Sequence, residues 1–167
     1  MDLQSATDGE YAGDDDSATA VLRRDHQAVR KLFAHYRELM NSASPQRAAV
    51  AQDIGMHFEL HFAVTRDLYY PALNPDHAEV IHELLNAQED IQQCIETLRN
   101  AQSLPDAELD SIVVRMIELA DLYICRERSL MTMAEERAGP RLDGLGARMI
   151  RRREKIAGAV ADLQSRS

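Results

Sequence analysis

The chain has 167 residues, enough for one domain with its own core. Aromatics make up 5%, tryptophan is missing, and glycine and proline number 7 and 5; with Ala, Leu, Glu, Gln, Arg and Met dominant, this is the composition of an all-α protein. The formal charge of −9 disfavours a general nucleic-acid binder, and no apolar run approaches the ~20 residues of a membrane span.

Residues 1–17 carry Asp2, Asp8, Glu10, Asp14, Asp15 and Asp16 and almost nothing apolar, so a disordered acidic tail is expected. They show no signal-peptide pattern. Cys94 and Cys125 form no C-x-x-C pair; two lone cysteines suit a reducing, cytoplasmic setting.

The first helix is predicted over residues 17–40, with the seam Leu22, His26, Val29, Phe33, Tyr36, Met40 stepping by four and three. His35 falls on the opposite side, toward water. A turn over residues 41–45 ends in Pro45, which suits a helix start. The second helix is predicted over residues 46–73, with the seam Val50, Ile54, His57, His61, Val64, Leu68. Two histidines one turn apart on an apolar face are unusual, because each ring nitrogen needs a partner. Gly55 weakens this helix by ~1 kcal/mol relative to Ala or admits a close neighbour.

The third helix, about residues 76–100, has the seam His77, Val80, Leu84, Ala87, Ile91, Cys94 or Ile95, Leu98. The fourth, about residues 106–136, has the seam Leu109, Ile112, Met116, Leu119, Leu122 or Tyr123, Arg126, Leu130, Met133. Arg126 stands where a core residue is due; it either snorkels outward or points in to meet a partner. Gly139-Pro140 breaks the chain. A fifth helix follows over about residues 145–163, with Met149, Ile156, Val160 and Leu163 on one face for packing on the bundle or another subunit. Its basic run, Arg151 to Lys155, is read as a solvated face.

Four helices of similar length with short turns predict an up-down-up-down four-helix bundle over residues 18–136, with an additional C-terminal amphipathic helix over residues 141–165. Antiparallel packing brings the starts of helices one and three to the same pole as the ends of helices two and four. His26, His61, His77 and residues 122–126 should then converge on one pocket, with His57 one turn deeper.

On these residues the sequence resembles the hemerythrin-like (HHE cation-binding) family. The matching pieces are Asp25-His26-Gln27-Ala28-Val29-Arg30, then His61 followed by Asp67-Leu68-Tyr69-Tyr70-Pro71-Ala72-Leu73, then His77-Ala78-Glu79-Val80. The resemblance implies a bundle in which a His, an H-x-x-x-E pair, a His and a second H-x-x-x-E pair hold two irons. His26, His61 and His77 fall on three of those positions, whereas Thr65 stands at the first bridging Glu position. On the fourth helix the preferred register sets Leu122 and Arg126 at the second H-x-x-x-E pair; a register shifted by one offers Tyr123 and Glu127.

Without bridging carboxylates two irons repel each other, and a guanidinium in the pocket adds repulsion. The reading that follows is a degenerate, metal-free pocket lined by His57, Thr65, Leu122, Tyr123 and Arg126, with Arg126 carrying the positive charge. The alternative is iron or another single transition metal on His26, His61 and His77. The corresponding functions are a regulator acting through a protein partner or a homo-oligomer, by way of the acidic tail or C-terminal helix, and an iron protein responsive to oxygen, peroxide or nitric oxide. No nucleophile–base pair is legible, so an enzyme is the less supported choice.

Overall fold

The structure, a computed structural model, describes residues 16–42, 44–137 and 139–166. The acidic tail expected over residues 1–17 lies outside them except for its last two residues. Helix α1 spans Ala18–Met40 and α2 spans Arg47–Val64. A π turn, Thr65–Tyr69, leads into a single helical turn, α3, Tyr70–Leu73. Helix α4 is Ala78–Leu98, α5 is Asp106–Arg137 and α6 is Leu145–Ser165, with short 3₁₀ turns before α5 and α6. This is the expected all-α bundle with a C-terminal helix.

The bundle closes through α1 on α2, α2 on α4, α4 on α5 and α5 on α1. Its core is built from Leu22, Phe33, Ile54, Phe58, Phe62, Leu84, Ile91, Leu109, Met116 and Leu130, all essentially removed from water. Each such side chain contributes about 1.5–3 kcal/mol. Helix α2 touches α1, α4, α5 and α6, and beside its seam it buries Ala51, Gly55, Phe58 and Phe62, with Phe58 against Phe33 of α1 and Phe62 against Tyr123 of α5. Gly55 sits beside Ile95 of α4: a Cβ there would stand 3.4 Å from the Ile95 methyl.

Polar contacts fix the ends. The Ser17 hydroxyl caps α1 by accepting from the Ala20 amide at 3.2 Å. At the far end of α1, Arg47 donates to the carbonyls of Leu39, Met40 and Ser42 at 2.9–3.0 Å. It also pairs with Asp110 of α5 at 3.1 Å, and Asp110 accepts from Tyr36 at 2.8 Å. One cation thus satisfies orphan carbonyls of α1 while tying α2 to α5.

Helix α6 lies against α1 and α2. Leu145, Gly146 and Met149 are buried, Ile156 and Val160 are half-buried, and Leu163 is exposed. A Cβ on Gly146 would fall 1.7 Å from the Asp16 carbonyl, so only glycine lets the chain entering α1 lie across the start of α6. The run Arg151 to Lys155 is not simply a solvated face. Arg152 pairs with Asp67 at 2.8 Å, and Arg153 reaches the buried carboxylate of Asp25 in two hydrogen bonds. Among the described residues, no helix is long and apolar enough to cross a membrane.

Candidate metal centre

The pole opposite Arg47 holds a buried polar cluster. Six elements supply it: Asp25 and His26 come from α1, His61 from α2, Thr65 from the π turn, Tyr70 from α3, Gln88 from α4, and Tyr123 and Glu127 from α5. The Glu127 carboxylate is its centre and has no solvent exposure. Its Oε2 accepts from His26 Nε2 at 2.7 Å and from His61 Nε2 at 2.9 Å. Its Oε1 accepts from the hydroxyls of Tyr70 at 2.6 Å and Tyr123 at 2.7 Å. Four donors on one carboxylate explain how a glutamate survives full burial.

His61 bridges two carboxylates. Its Nδ1–H donates to Asp25 Oδ2 at 2.9 Å, while Nε2–H faces Glu127 and lies 3.0 Å from the Tyr123 hydroxyl. Burial alone would pull the His61 pKa down, but the Glu127 charge and the bonds to Asp25 and Glu127 outweigh it and raise it to about 9. The carboxylates move the other way. Burial opposes ionisation of Asp25, yet hydrogen bonds from His61 and Arg153 bring its pKa down to about 2. Burial likewise opposes ionisation of Glu127, and the His61 charge with bonds from His26 and His61 holds it well below the usual carboxylate range. Burial and the Glu127 charge push both Tyr70 and Tyr123 well above the ordinary phenol range. His57 stands at the edge, its Nε2 bonded to the Asp25 carbonyl at 2.9 Å, and burial lowers its pKa.

One turn after His61, Thr65 is fully buried and donates to the His61 carbonyl at 3.0 Å. The Gln88 amide faces Thr65 at 3.0 Å, Tyr123 at 3.0 Å and Tyr70 at 3.3 Å. Arg66 Nε donates to Gln88 Oε1 at 2.6 Å, which fixes the amide with its N–H groups toward the cluster. Donor hydrogens rather than lone pairs fill the side where a second bridging carboxylate would be needed.

Several expectations are corrected. Leu122 is 73% exposed, and Arg126 is exposed and paired with Glu83 of α4. The inward register of α5 is the alternative one, Tyr123 and Glu127. The buried run Leu109, Val113, Met116, Ala120, Tyr123, Glu127, Leu130, Ala134 steps by four and three without a break. The cation beside the cluster is therefore Arg153, not Arg126. His77 is buried where the chain enters α4 but stands outside the group of donor atoms. That position precedes the first helical residue, so the side chain does not follow the α4 seam, which begins at Ile81. Thr65 borders the cluster, and His57 stands at its half-buried edge on the Asp25 carbonyl rather than one turn deeper. Asp25, Tyr70, Gln88 and Arg153 were given no role from the sequence.

Among the described residues, one group of three or more His, Cys, Asp or Glu side chains could hold a metal ion: His26, His61 and Glu127, with ligand atoms within 4.8 Å of one another. Two imidazoles and a carboxylate suit a single transition metal, and Asp25 supplies the outer carboxylate that commonly orients a ligating imidazole. The set fits one cation. Thr65 and Gln88 add no anion to it, and His77 stands outside the group.

No curated protein and no solved structure was found to match the chain. The sequence profile described as the Hemerythrin HHE cation binding domain matches residues 17–134, and the chain belongs to that family.

Proposed function

We propose that the protein is a single-cation hemerythrin-like protein, holding one transition-metal ion, iron foremost, on His26, His61 and Glu127 with Tyr123 beside it. The observation that carries this reading is the convergence of those three donor groups in a fully buried site. Asp25 would keep the His61 proton on Nδ1 and leave Nε2 free to ligate. Glu127 supplies the negative charge, and Tyr70 and Tyr123 hold its orientation. A proton on Nε2 of either imidazole occupies the lone pair a cation needs, so binding displaces protons. Bound iron would add one-electron chemistry and affinity for small ligands such as oxygen, peroxide or nitric oxide.

A second reading, a metal-free protein acting through protein contacts as a regulator, is favoured by one feature. Glu127 already accepts four hydrogen bonds, so the cluster is closed without a metal. Metal analysis after anaerobic ferrous loading separates the two readings. One ion per chain, lost in Glu127→Gln and in His61→Ala, is the expected result. Zero ions would overturn the first reading, and two would show that the ligand set extends beyond these residues. A visible band in the ferric form that disappears in Tyr123→Phe would place that phenolate on the metal.

A further inference from the structure

The surface beside His26 carries a cluster of opposite character. A cavity of about 160 Å3 is lined by Arg23, His26, Gln27, Arg30 and Arg128. Arg23, His26, Gln27 and Arg30 occupy one face of α1 at successive turns, and Arg128 comes from α5, one residue beyond Glu127. A second cavity of about 370 Å3, lined by Arg30, Cys125, Arg128, Ser129 and Thr132, shares two of these arginines. Arg23 has Glu135 at 3.5 Å, whereas among the described residues neither Arg30 nor Arg128 has a carboxylate within 4.0 Å. Acidic residues outnumber basic ones by 28 to 19 in this chain, so three guanidiniums around one hollow are not a consequence of composition. The His26 ring adds a buried Nδ1 with no hydrogen-bond partner.

We propose that Arg23, Arg30 and Arg128 form a binding site for the phosphate group of a small molecule. Guanidiniums present planar pairs of N–H donors that match the oxygens of a tetrahedral oxyanion, and their charge does not titrate away. The smaller hollow suits a compact anion. The larger one falls within the ~300–1,000 Å3 of small-molecule sites and offers room for an attached organic group. Three arginines on a chain of net charge −9 suit one phosphate rather than a polyanion. The site adjoins the candidate metal centre through His26 but does not depend on a metal being bound.

The test is a titration of the protein with sodium phosphate, with sodium chloride at matched ionic strength as reference, followed by the arginine side-chain N–H signals in NMR. Phosphate should move the signals of Arg30 and Arg128 saturably, and chloride should not. Arg30→Gln with Arg128→Gln should weaken phosphate binding at least tenfold, while Arg99→Gln, which removes an exposed pair with Glu59 elsewhere, should change it less than twofold. Phenyl phosphate distinguishes the two sources of the group. Tighter binding than phosphate, with slower alkylation of the exposed Cys125, marks a phosphate ester; equal binding marks free phosphate. Equal responses to phosphate and chloride in the unmodified protein would overturn the proposal, and that arm depends on no variant folding. So would binding that survives the double variant and disappears in His26→Ala, which would move the anion to the metal centre.

Discussion

His61 and Glu127 show how a charged pair is held inside a bundle. Neither could remain ionised alone after burial, but His61 bonds a carboxylate at each nitrogen and Glu127 accepts from four groups. The pKa shifts fix a pH profile for the metal-free protein. The His61 pKa is about 9 in the fold against 6.5 unperturbed. Its contribution to stability is therefore complete below pH 6.5 and is lost as pH rises through 9. Asp25 and Glu127 are shifted down, so their contributions are present above their unperturbed values of 3.8 and 4.5 and are lost as pH falls. The lowered pKa of His57 removes stability as pH falls below 6.5, so thermal melts in chelator should peak near pH 6.5 and decline toward pH 9. In His61→Gln the alkaline decline should flatten. Saturating metal should abolish the decline above pH 6.5, since the ion has replaced the His61 proton and the folded chain has none left to lose there. A flat alkaline limb in the unmodified apo-protein would show that His61 is not charged in the fold. These residues were hard to read from the sequence because a buried Glu, Asp or Gln is normally surface material. Their apolar neighbours give a signal: Gln88 fits Leu84, Ile91 and Ile95, and Glu127 fits Tyr123 and Leu130, by helical spacing.

At the scale of elements, the seams of α1 and of most of α4 were legible, because Leu22, Val29 and Phe33, or Leu84, Ile91 and Leu98, alternate by three and four with little competition. Helix α5 was harder. Large apolar side chains lie on two adjacent stripes, and weighing Leu119 and Leu122 above Ala120 and Glu127 rotates the helix by one position. The π turn was not legible either. Its extra residue after Val64 buries Tyr69 and Tyr70 together where a regular helix would bury Leu68, and it brings Tyr70 to Glu127. Gly55 poses a simpler question of backbone cost. Its Cβ would meet the Ile95 methyl at 3.4 Å, an ordinary van der Waals contact, so Gly55→Ala should gain most of the ~1 kcal/mol of helix propensity. The melting temperature should rise by about 2–4 °C. A fall would mean that the methyl does not fit against Ile95 without strain, and that close approach of α2 and α4 is the reason for the glycine.

At the scale of the whole molecule, α6 completes the site that the four-helix bundle begins. The formal charges of Asp25 and Glu127 are cancelled by His61 and by Arg153 of α6, and the matched family region ends at residue 134, before α6 starts. When a divalent ion displaces the His61 proton, the positive charge of the cluster rises, and Arg153 becomes a repulsive neighbour. Removing that charge should therefore act in opposite directions on the two forms. Arg153→Met leaves Asp25 with His61 alone, so the metal-free protein should melt lower and α6 should exchange its amide hydrogens faster. The same variant should bind a divalent metal at least several-fold more tightly, because the ion restores the missing positive charge. Arg153→Lys is the control: it keeps the charge but not the two-pronged grip, so it should loosen α6 without raising metal affinity. Calorimetric titration with a redox-inert divalent ion, alongside apo-protein melts, measures both effects. Weaker metal binding in Arg153→Met would show that Arg153 matters chiefly by fixing Asp25, and through it the His61 ring, rather than through its charge.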